Sequence, residues 1–574
     1  MRPFLFLMLA TSSSTLLAQG WTQWGRTSLH DNVSASIGRS PDRIVARLVL
    51  DPFAAEEQLA GDGDLYVHYP VPLVDGDDVF VVRKSGTFSD PSRWESQVWN
   101  VTSLRRDGPA LVTRWSRATD WKPVPYQAGL WEPVYHCALT ADAIWAPGAG
   151  GTIDQIHRED GTLIRRFNPF GLAVDPTIFV TGPPAIDPAG NVVYNVVQLN
   201  PTDPWGSDSL GAWLVRIDSK GIISRAPFSA LVADAPAASA PCTRTFNFTD
   251  EPLPPARDAI APSARCGPQR PGLNVAPAIG ADGTIYTISR AHLNDRWGYL
   301  VAVAPDLSPR WSASLRNRFN DGCNVTIPPN GTPGGCRADT TTGVDPADNL
   351  PGSGRVSENS TSSPAVAPDG TILYGAYTRY NYAQGHLMAF SPDGNYRGAY
   401  GWGWDLTPAI YPHDQTYSII LKENHYSTGS WCAFDPVCPP DRTRNAPGDP
   451  EQYFITQLDA SLRPEWRFRS SNTKSCERDQ SGTVQCVETS PHGFEWCVNA
   501  VAVDRLGRVY ANSEDGNLYS IAQGGVLAGH LFLRLALGAA YTPTALGPDG
   551  RIYTQNFGEL FVIDQGPRRR AARP

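Results

Sequence analysis

Apolar residues in this chain alternate with polar ones, or run continuously over five or six positions, between short turns. From Pro364, for example, PAVAP precedes an Asp-Gly turn at 369–370, and TILYGAYTRY and HLMAFS precede a Pro-Asp-Gly turn at 392–394. Such runs predict β-strands, and glycine suits the turns because it accepts positive φ without a steric penalty. No long segment beyond the N-terminus shows a 3.6-residue period, so the predicted fold class is all-β.

The pattern recurs as an internal repeat. Copies begin with PPAIDPAG, APAIGADG, SPAVAPDG and TPAIYPHD, and looser ones with VAVDRLG and TALGPDG; their aligned positions are 184, 277, 364, 408, 501 and 544. The copies at 364 and 408 are 44 residues apart, and those at 501 and 544 are 43 apart. These intervals match the roughly 40–45 residues of a four-stranded propeller blade. The longer intervals hold segments rich in Pro, Gly, Asn and Asp, which predict inserted loops.

Two further units lie upstream, from VPLVDGDDVFVV to ALVTRWSR and from VYHCALTADAIWAP to TLIRRFNPF. The last unit of the chain has only three strands, and RIVARLVLD near residue 43 could supply the fourth. We therefore predict a β-propeller of eight four-stranded blades, with the ring closed by this N-terminal strand. A seven-bladed ring with one N-terminal unit outside it is the alternative.

The motif P-A-x-x-x-D-G-x-x-Y, followed by G-x-L-x-A and by tryptophan strands such as PRWSASL and PEWRFRS, resembles the PQQ-like repeat. That repeat builds quinoprotein alcohol dehydrogenases and outer-membrane assembly lipoprotein propellers. WTQWGRTSLHDN is also similar to the opening of many secreted propellers of this kind. The resemblance covers nearly the whole chain and implies the fold. Function has to be argued from a site, because many proteins with this repeat bind no quinone.

Residues 1–18 have the pattern of a secretory signal peptide, with one arginine, a short apolar stretch and a small residue at Ala18. Residues 19–566 are then expected to form a single propeller domain, and the basic residues 567–574 a disordered tail. No segment approaches the roughly 18 apolar residues of a membrane span. The protein is expected to be secreted or periplasmic, soluble and monomeric.

The ten cysteines agree with an oxidising compartment. Eight of them flank or lie within the predicted loops, which cross-links stabilise most. The expected local pairs are Cys242–Cys266, Cys323–Cys336, Cys432–Cys438 and Cys476–Cys486. The other two, Cys137 and Cys497, could pair with each other or remain as small buried apolar groups.

All long insertions join strands two and three of a blade, or one blade to the next, whereas the other connections are tight turns. The insertions should therefore emerge on one face and form a disulfide-stapled cap around the mouth of the central channel. The alternative is loops that only shield strand edges. Residues at the start of each inner strand converge on this mouth. The candidate ligand-binding residues are His68, Tyr69, Trp131, Glu132, Asn359, Trp404, Asp405, Glu495 and Asn499, with Asn274, Glu358 and Tyr541 beside them.

This set holds acids, amides, aromatic rings and a histidine, but no arginine or lysine. It suits a small polyhydroxylated ligand or a glycan, which needs stacking and directional hydrogen bonds. Oxygen ligands would also suit calcium, but no cofactor and no dedicated metal site are expected. Glu132, Asn359 and Asp405 could serve as metal ligands and base in a quinoprotein. PQQ is nevertheless not favoured, because an adjacent cysteine pair and the C-x-x-C-H haem motif are missing.

A polysaccharide lyase would need a histidine or tyrosine base and a group that neutralises the uronate, and no such arginine is evident at the mouth. The net charge of −9, without a basic stripe, argues against nucleic-acid binding. The sequence therefore predicts an exported binding or scaffold protein with a ligand, or another exported protein, at the mouth. A secreted enzyme using the same mouth, lyase-like or quinoprotein dehydrogenase-like, is the alternative.

Overall fold

A computed structural model describes residues 20–108, 110–244, 262–318, 354–377, 385–402, 406–425, 452–478, 482–496, 498–538 and 542–566. Its first elements are strand β1 (Arg43–Val49) and helix α1 (Ala54–Ala60). Within these described ranges, the strands form eight four-stranded antiparallel blades arranged in a ring. The structure confirms the all-β propeller with eight blades, and the seven-bladed alternative is wrong.

The first four blades follow β1 and α1 in chain order. Blade 1 consists of β2 (Leu73–Asp75), β3 (Asp78–Gly86), β4 (Gln97–Asp107) and β5 (Ala110–Ala118). Blade 2 consists of β6 (Ala138–Leu139), β7 (Ala143–Pro147), β8 (Ile153–His157) and β9 (Leu163–Phe167). Blade 3 has β10 (Ile178–Val180) and β11 (Ala185–Ile186) at the inner position, then β12 (Val192–Gln198), β13 (Gly211–Ile217) and β14 (Ile223–Pro227). Helix α2 (Phe228–Leu231), β15 (Pro241–Thr243) and β16 (Ser263–Arg265) come next. Blade 4 has β17 (Gln269–Pro271) and β18 (Ala278–Ile279) at the inner position, then β19 (Ile285–Ala291), β20 (Asn294–Val303) and β21 (Pro309–Ser314).

The remaining blades complete the ring. Blade 5 consists of β22 (Ala365–Val366), β23 (Ile372–Tyr377), β24 (Gly385–Phe390) and β25 (Tyr396–Trp402). Blade 6 consists of β26 (Ala409–His413), β27 (Thr416–His425), β28 (Gln452–Asp459) and β29 (Pro464–Arg469). The hairpin of β30 (Lys474–Arg478) and β31 (Val484–Glu488) follows. Blade 7 consists of β32 (Ala502–Val503), β33 (Val509–Asn512), β34 (Asn517–Ala522) and β35 (Val526–Phe532). Blade 8 consists of β36 (Thr544–Leu546), β37 (Ile552–Asn556), β38 (Glu559–Asp564) and the N-terminal strand β1.

The ring is closed as the sequence predicted. Strand β1 pairs antiparallel with β38, with Arg43 opposite Asp564 at one end. Near the other end, Arg47 forms an ion pair with Glu559, with 2.8 Å between Nε and Oε1. Beyond the strands, the backbone N–H of Gly566 donates to the Asp42 carboxylate at 2.8 Å. The N-terminal strand is therefore the outer strand of the last blade.

Alanine at the inner strands explains the Pro-Ala signature of the repeat. Ala278, Ala365 and Ala409 are each fully buried. The inner strands of neighbouring blades, such as β18 and β22, contact each other where they converge on the channel. A close-packed interior leaves no room there for a larger side chain.

Two of the inserted segments contain short β-hairpins rather than loops alone. Strands β15 and β16 pair with each other, as do β30 and β31. Disulfides join Cys242 to Cys266 and Cys476 to Cys486, two of the four predicted pairs.

The other predicted cysteine pairs, Cys323–Cys336 and Cys432–Cys438, lie outside the described residues, as does Cys497. Among the described residues, Cys137 is buried and forms no disulfide. The predicted signal peptide and basic tail also lie outside the described residues. In the described part of the chain the longest α-helix has seven residues, too few to cross a membrane.

An element that the sequence did not predict lies at the end of the central channel opposite the mouth. Residues 21–39, here called the strap, hydrogen-bond to all eight blades in chain order. The bonds join Trp21 to Val74, Thr22 to Leu139, Gln23 to Ile186, Ser28 to Ile279, Leu29 to Val366, Asp31 to Ile410, Asn32 to Val503 and Arg39 to Gly550. The first seven partners lie in the inner strands and the eighth lies in the Asp-Gly turn that follows β36, so the strap covers the tight-turn end of the channel.

The strap also places side chains in the ring. Trp24 is buried and meets the His136 ring edge-on, with 5.6 Å between centroids. His30 is fully buried and donates its Nδ1–H to the Pro364 carbonyl at 2.6 Å. Burial lowers the pKa of His30 to about 4 and that of His136 to about 3. Both imidazoles are therefore neutral at ordinary pH.

Candidate functional site: the channel mouth

Asparagine side chains connect the blades across the mouth, where the inner strands begin. The Asn359 Oδ1, ahead of blade 5, accepts from the Trp131 backbone N–H at 3.0 Å, and its Nδ2 donates to the Gly129 carbonyl at 2.8 Å. Between β17 and β18 of blade 4, the Asn274 Oδ1 accepts from the Val134 N–H at 2.9 Å. These contacts link the start of blade 2 to blades 4 and 5. Part of the predicted set therefore holds the mouth together.

An aromatic platform lies beside this network. The half-buried Trp131 ring stacks on His68, with centroids 5.3 Å apart and planes 30° apart, and it contacts Tyr66 at the same centroid distance. Tyr66 is 41 % exposed and donates its hydroxyl to the Asp64 carboxylate at 2.9 Å. Partial burial and the Asp64 carboxylate raise the pKa of Tyr66 to about 12. The platform comprises Tyr66, His68 and Trp131, and it offers ring surface at the mouth.

A buried ion cluster lies beneath the platform. The Lys84 Nζ contacts Asp51 at 2.9 Å, Glu57 at 2.8 Å and Glu132 at 2.7 Å. All four side chains of this Lys84 cluster are buried, and the Tyr69 hydroxyl donates to Asp51 at 2.9 Å. An ammonium has three N–H groups, so Lys84 uses all of them on carboxylates. The cluster fixes Glu132 and Tyr69, two predicted site residues, as parts of a buried network.

The charges in the Lys84 cluster do not balance. Burial raises the pKa of Glu132 to about 7, against the opposing effect of Lys84, and raises the pKa of Glu57 well above its ordinary range. Burial alone would lower the pKa of Lys84, but the three carboxylates together raise it. Three carboxylates around one ammonium leave a net negative charge when all are ionised. The two glutamates therefore tend to hold protons near neutral pH.

A cavity of about 270 Å³ opens next to the Lys84 cluster. Glu57 and Glu132 line its inner end, and the rings of Tyr66, Trp94 and Tyr126 are among its walls. Trp94 is buried and packs edge-on against Tyr126, with centroids 5.4 Å apart. Concave sites that combine aromatic walls with a few converging polar groups are typical of small-molecule binding, and this partly open cavity has both.

Arginine is present near the mouth, contrary to the sequence interpretation. Arg270 contacts the Glu358 carboxylate at 2.9 Å, and Arg290 contacts the same carboxylate. Burial would raise the pKa of Glu358, but these two guanidinium groups lower it. Arg270 also donates to His292 at 2.8 Å and lies over the Trp205 ring. Because both guanidinium groups are engaged with Glu358, this second cluster is a structural ion network.

The remaining candidates lie elsewhere. Glu495 is half-buried ahead of blade 7, and its carbonyl accepts from the Glu514 N–H at 3.1 Å. Asn499 is fully buried, and its carbonyl accepts from the Thr407 N–H at 2.9 Å. Trp404, Asp405 and Tyr541 lie outside the described residues. The structure thus brings together His68, Tyr69, Trp131, Glu132 and Asn359, and it leaves Glu495 and Asn499 near blade 7.

Sequence reasoning missed the residues that surround this group, namely Asp51, Glu57, Tyr66 and Lys84. The available signal was the segment from 51 to 66, where acids and an aromatic residue surround GDGD just ahead of the first candidates. Lys84, in the strand VVRKSG, had the pattern of a solvent-facing edge position. Its partners come from two separate segments, residues 51–57 and the start of blade 2, which a single sequence does not connect.

Two of the residues that the sequence suggested for a quinone and its metal are engaged with other groups of the protein. Glu132 binds Lys84, and both polar ends of the Asn359 amide are engaged with backbone groups. Asp405 lies outside the described residues. Among the described residues, no group of three or more His, Cys, Asp or Glu side chains is arranged to hold a metal ion.

No protein-family model and no curated protein sequence matches this chain. Solved structures do match its fold. A europium-containing methanol dehydrogenase is 12% identical, with 93% of this chain and 89% of that chain covered and a TM-score of 0.48. The quinohemoprotein alcohol dehydrogenase from Comamonas testosteroni is 11% identical, with coverage of 97% and 82% and a TM-score of 0.47. One from Pseudomonas putida HK5 has the same identity and coverage and a TM-score of 0.50. At this identity, the likeness to the structure with a TM-score of 0.50 shows a shared β-propeller fold and nothing further.

Proposed function

We propose that the protein is an exported binding protein, secreted or periplasmic, that holds a small polyhydroxylated ligand or the end of a glycan at the channel mouth. The observation that carries the proposal is the aromatic platform beside the cavity, in which the exposed Tyr66 ring and the half-buried Trp131 ring are backed by the buried His68. Stacked rings provide a face for a sugar ring, and neighbouring carboxylates accept its hydroxyl hydrogens. Two disulfides among the described residues are compatible with export.

The test is a calorimetric screen of mono- and oligosaccharides against the purified protein, followed by the variant Trp131→Ala. Loss of one stacking contact should weaken binding by about 1–3 kcal/mol. Trp311→Ala is the matched control, because Trp311 is also half-buried and lies in β21 beside the tight-turn end, where its Nε1 donates to the Pro392 carbonyl. Equal losses of affinity in the two variants, or no saccharide binding at all, would contradict the proposal.

An enzyme that uses the same mouth is the second candidate. The observation that favours it is the pair Glu57 and Glu132, whose raised pKa values suit a general acid or base at neutral pH. A lyase-like activity on uronate polysaccharides would appear as ultraviolet-absorbing unsaturated products. It should be lost in Glu57→Gln and kept in Glu56→Gln, an exposed neighbour on the same helix.

A further inference from the structure

One carboxylate oxygen of the Lys84 cluster has no partner within the described structure. Glu57 is 7 % exposed, and its Oε1 accepts from Lys84 at 2.8 Å. Its Oε2 is buried, lacks a hydrogen-bond partner among the described residues and belongs to a side chain that lines the cavity. A buried carboxylate oxygen without a donor costs considerable free energy. Glu57 therefore holds an unsatisfied acceptor beside the cavity, which a donor group of a ligand could satisfy after a small rotation of the Glu57 carboxylate.

The charge around the cavity has one sign. Two aspartates at its rim, Asp62 and Asp64, are exposed, and Glu57 and Glu132 lie at its inner end. Among the described residues that line the cavity there is no lysine or arginine. Lys84 lies behind the glutamates and already uses its three N–H groups on carboxylates. Such a surface attracts a cation and disfavours an anion.

The aromatic walls of the cavity also favour a cationic ligand. The rings of Tyr66, Trp94 and Tyr126 line the cavity, and the Phe88 ring joins them. An ammonium group near aromatic faces is stabilised by the ring quadrupole, and more so when it is removed from water. Charge-assisted N–H bonds to a carboxylate are also about twice as strong as neutral ones.

From this geometry we propose that the cavity binds a ligand through a primary ammonium group, which donates an N–H to Glu57 Oε2 between the aromatic walls. This inference rests on the proposed function and narrows it. The polyhydroxylated ligand is an amino sugar, whose ring lies toward the platform of Tyr66, His68 and Trp131. A hydroxyl could also donate to Glu57, but only an ammonium can take the place of the proton that the glutamates otherwise hold, because it brings the positive charge that compensates their negative charge.

The experiment compares four probes by calorimetry on the full chain: glucosamine, N-acetylglucosamine, glucose and ethanolamine. Glucosamine should bind at least tenfold more tightly than its N-acetylated form and than glucose, and ethanolamine should compete with it. Glu57→Gln presents an amide in place of the free carboxylate oxygen and should remove this preference. Glu56→Gln, on the solvent side of the same helix, should keep it.

Because Glu57 is buried against Lys84, the variant Glu57→Gln could lose binding through misfolding, and a second variant at an exposed position avoids this ambiguity. Asp62→Asn removes an exposed rim charge and should weaken glucosamine binding several-fold at low salt, without changing the melting temperature. Equal binding of the three sugars would overturn the ammonium inference and leave the proposed function standing. Failure of all three sugars and of ethanolamine to bind would overturn both. Unchanged glucosamine affinity in folded Glu57→Gln would also refute the role of Glu57.

Discussion

Gln23 tests whether the strap contributes to the stability of the propeller. Its Nε2 donates to the Ile186 carbonyl at 3.0 Å, and its Oε1 accepts from the Ile186 N–H at 2.7 Å. The side chain thus occupies the place of a neighbouring strand beside β11. Gln23 is 7 % exposed and Ile186 is 6 % exposed. In Gln23→Ala, both backbone groups of Ile186 would lose their partners in a buried position.

The expected loss follows from those two groups. A buried donor or acceptor without a partner costs about 1–3 kcal/mol, so the pair costs about 2–6 kcal/mol. An unfolding entropy of about 2.1 cal/mol/K per residue amounts to about 1.1 kcal/mol/K for a chain of about 550 residues. The melting temperature should therefore fall by about 2–5 °C in Gln23→Ala.

Scanning calorimetry of the purified protein with its disulfides intact measures this change. Gln58→Ala is the matched control, since its Nε2 also donates to a backbone carbonyl, that of Leu537, at 2.8 Å but in an exposed position. Water replaces the lost bond there, so the free energy should change by less than about 0.5 kcal/mol. If both variants have the same melting temperature as the parent protein, the strap does not stabilise the ring and the reasoning fails.

Three further changes test other parts of the molecule. Lys84→Met should lower the melting temperature by roughly 3–5 °C at neutral pH, because removing one partner of a buried ion pair costs about 3–5 kcal/mol; the loss should shrink in acid, where the carboxyl groups are protonated. Burial lowers the pKa of His136 from 6.5 to about 3, so its contribution to stability is present above pH 6.5 and is lost as the pH falls toward 3. His136→Gln should therefore lose less melting temperature than the parent protein between about pH 7.5 and 5. Cys476→Ser combined with Cys486→Ser should increase proteolysis in the β30–β31 hairpin, measured by peptide mapping, and leave the far-ultraviolet circular dichroism unchanged.

For each of these three predictions, one result would contradict the expected outcome. Lys220→Met removes an exposed lysine and should leave the melting temperature unchanged, so an equal loss in both lysine variants would count against the cluster. Parallel melting curves of parent and His136→Gln at every pH would mean that this imidazole is not held neutral. Loss of β-sheet signal in the cysteine variant would place the hairpin in the folding core.

Most of the fold could be predicted from the sequence because the repeat encodes it locally. The Pro-Ala pairs of four inner strands and the Asp-Gly turns are contiguous in the chain, and the strand from Arg43 was predicted from the strand missing in the last unit. The strap could not be predicted in this way. Residues 21–39 touch each blade through one or a few hydrogen bonds, without strand alternation or a repeat of their own.

The candidate site was predicted only in part. The starts of the inner strands do meet at the mouth, so His68, Trp131 and Asn359 come together as expected. The sequence could not predict that Glu132 would be paired with Lys84, because the carboxylates around that lysine come from different segments. Burial and ion pairing depend on distances between blades, and hydrophobic patterning within a blade does not contain that information.

The pairing of β1 with β38 has a consequence for the order in which the molecule can be assembled. Ribosomes release the N-terminus first, yet the partner of β1 is the last of the described strands to be synthesised. Blades 1 to 7 can form one after another from neighbouring hairpins, while β1 and the strap wait for the whole chain. Contacts between distant parts of a sequence form late, and an unpaired strand edge invites aggregation during the wait. A circular permutant that joins residue 566 to residue 20 through a flexible linker, and opens the chain at an exposed inter-blade loop, would keep the strap, place β1 soon after its partner and shorten that vulnerable interval.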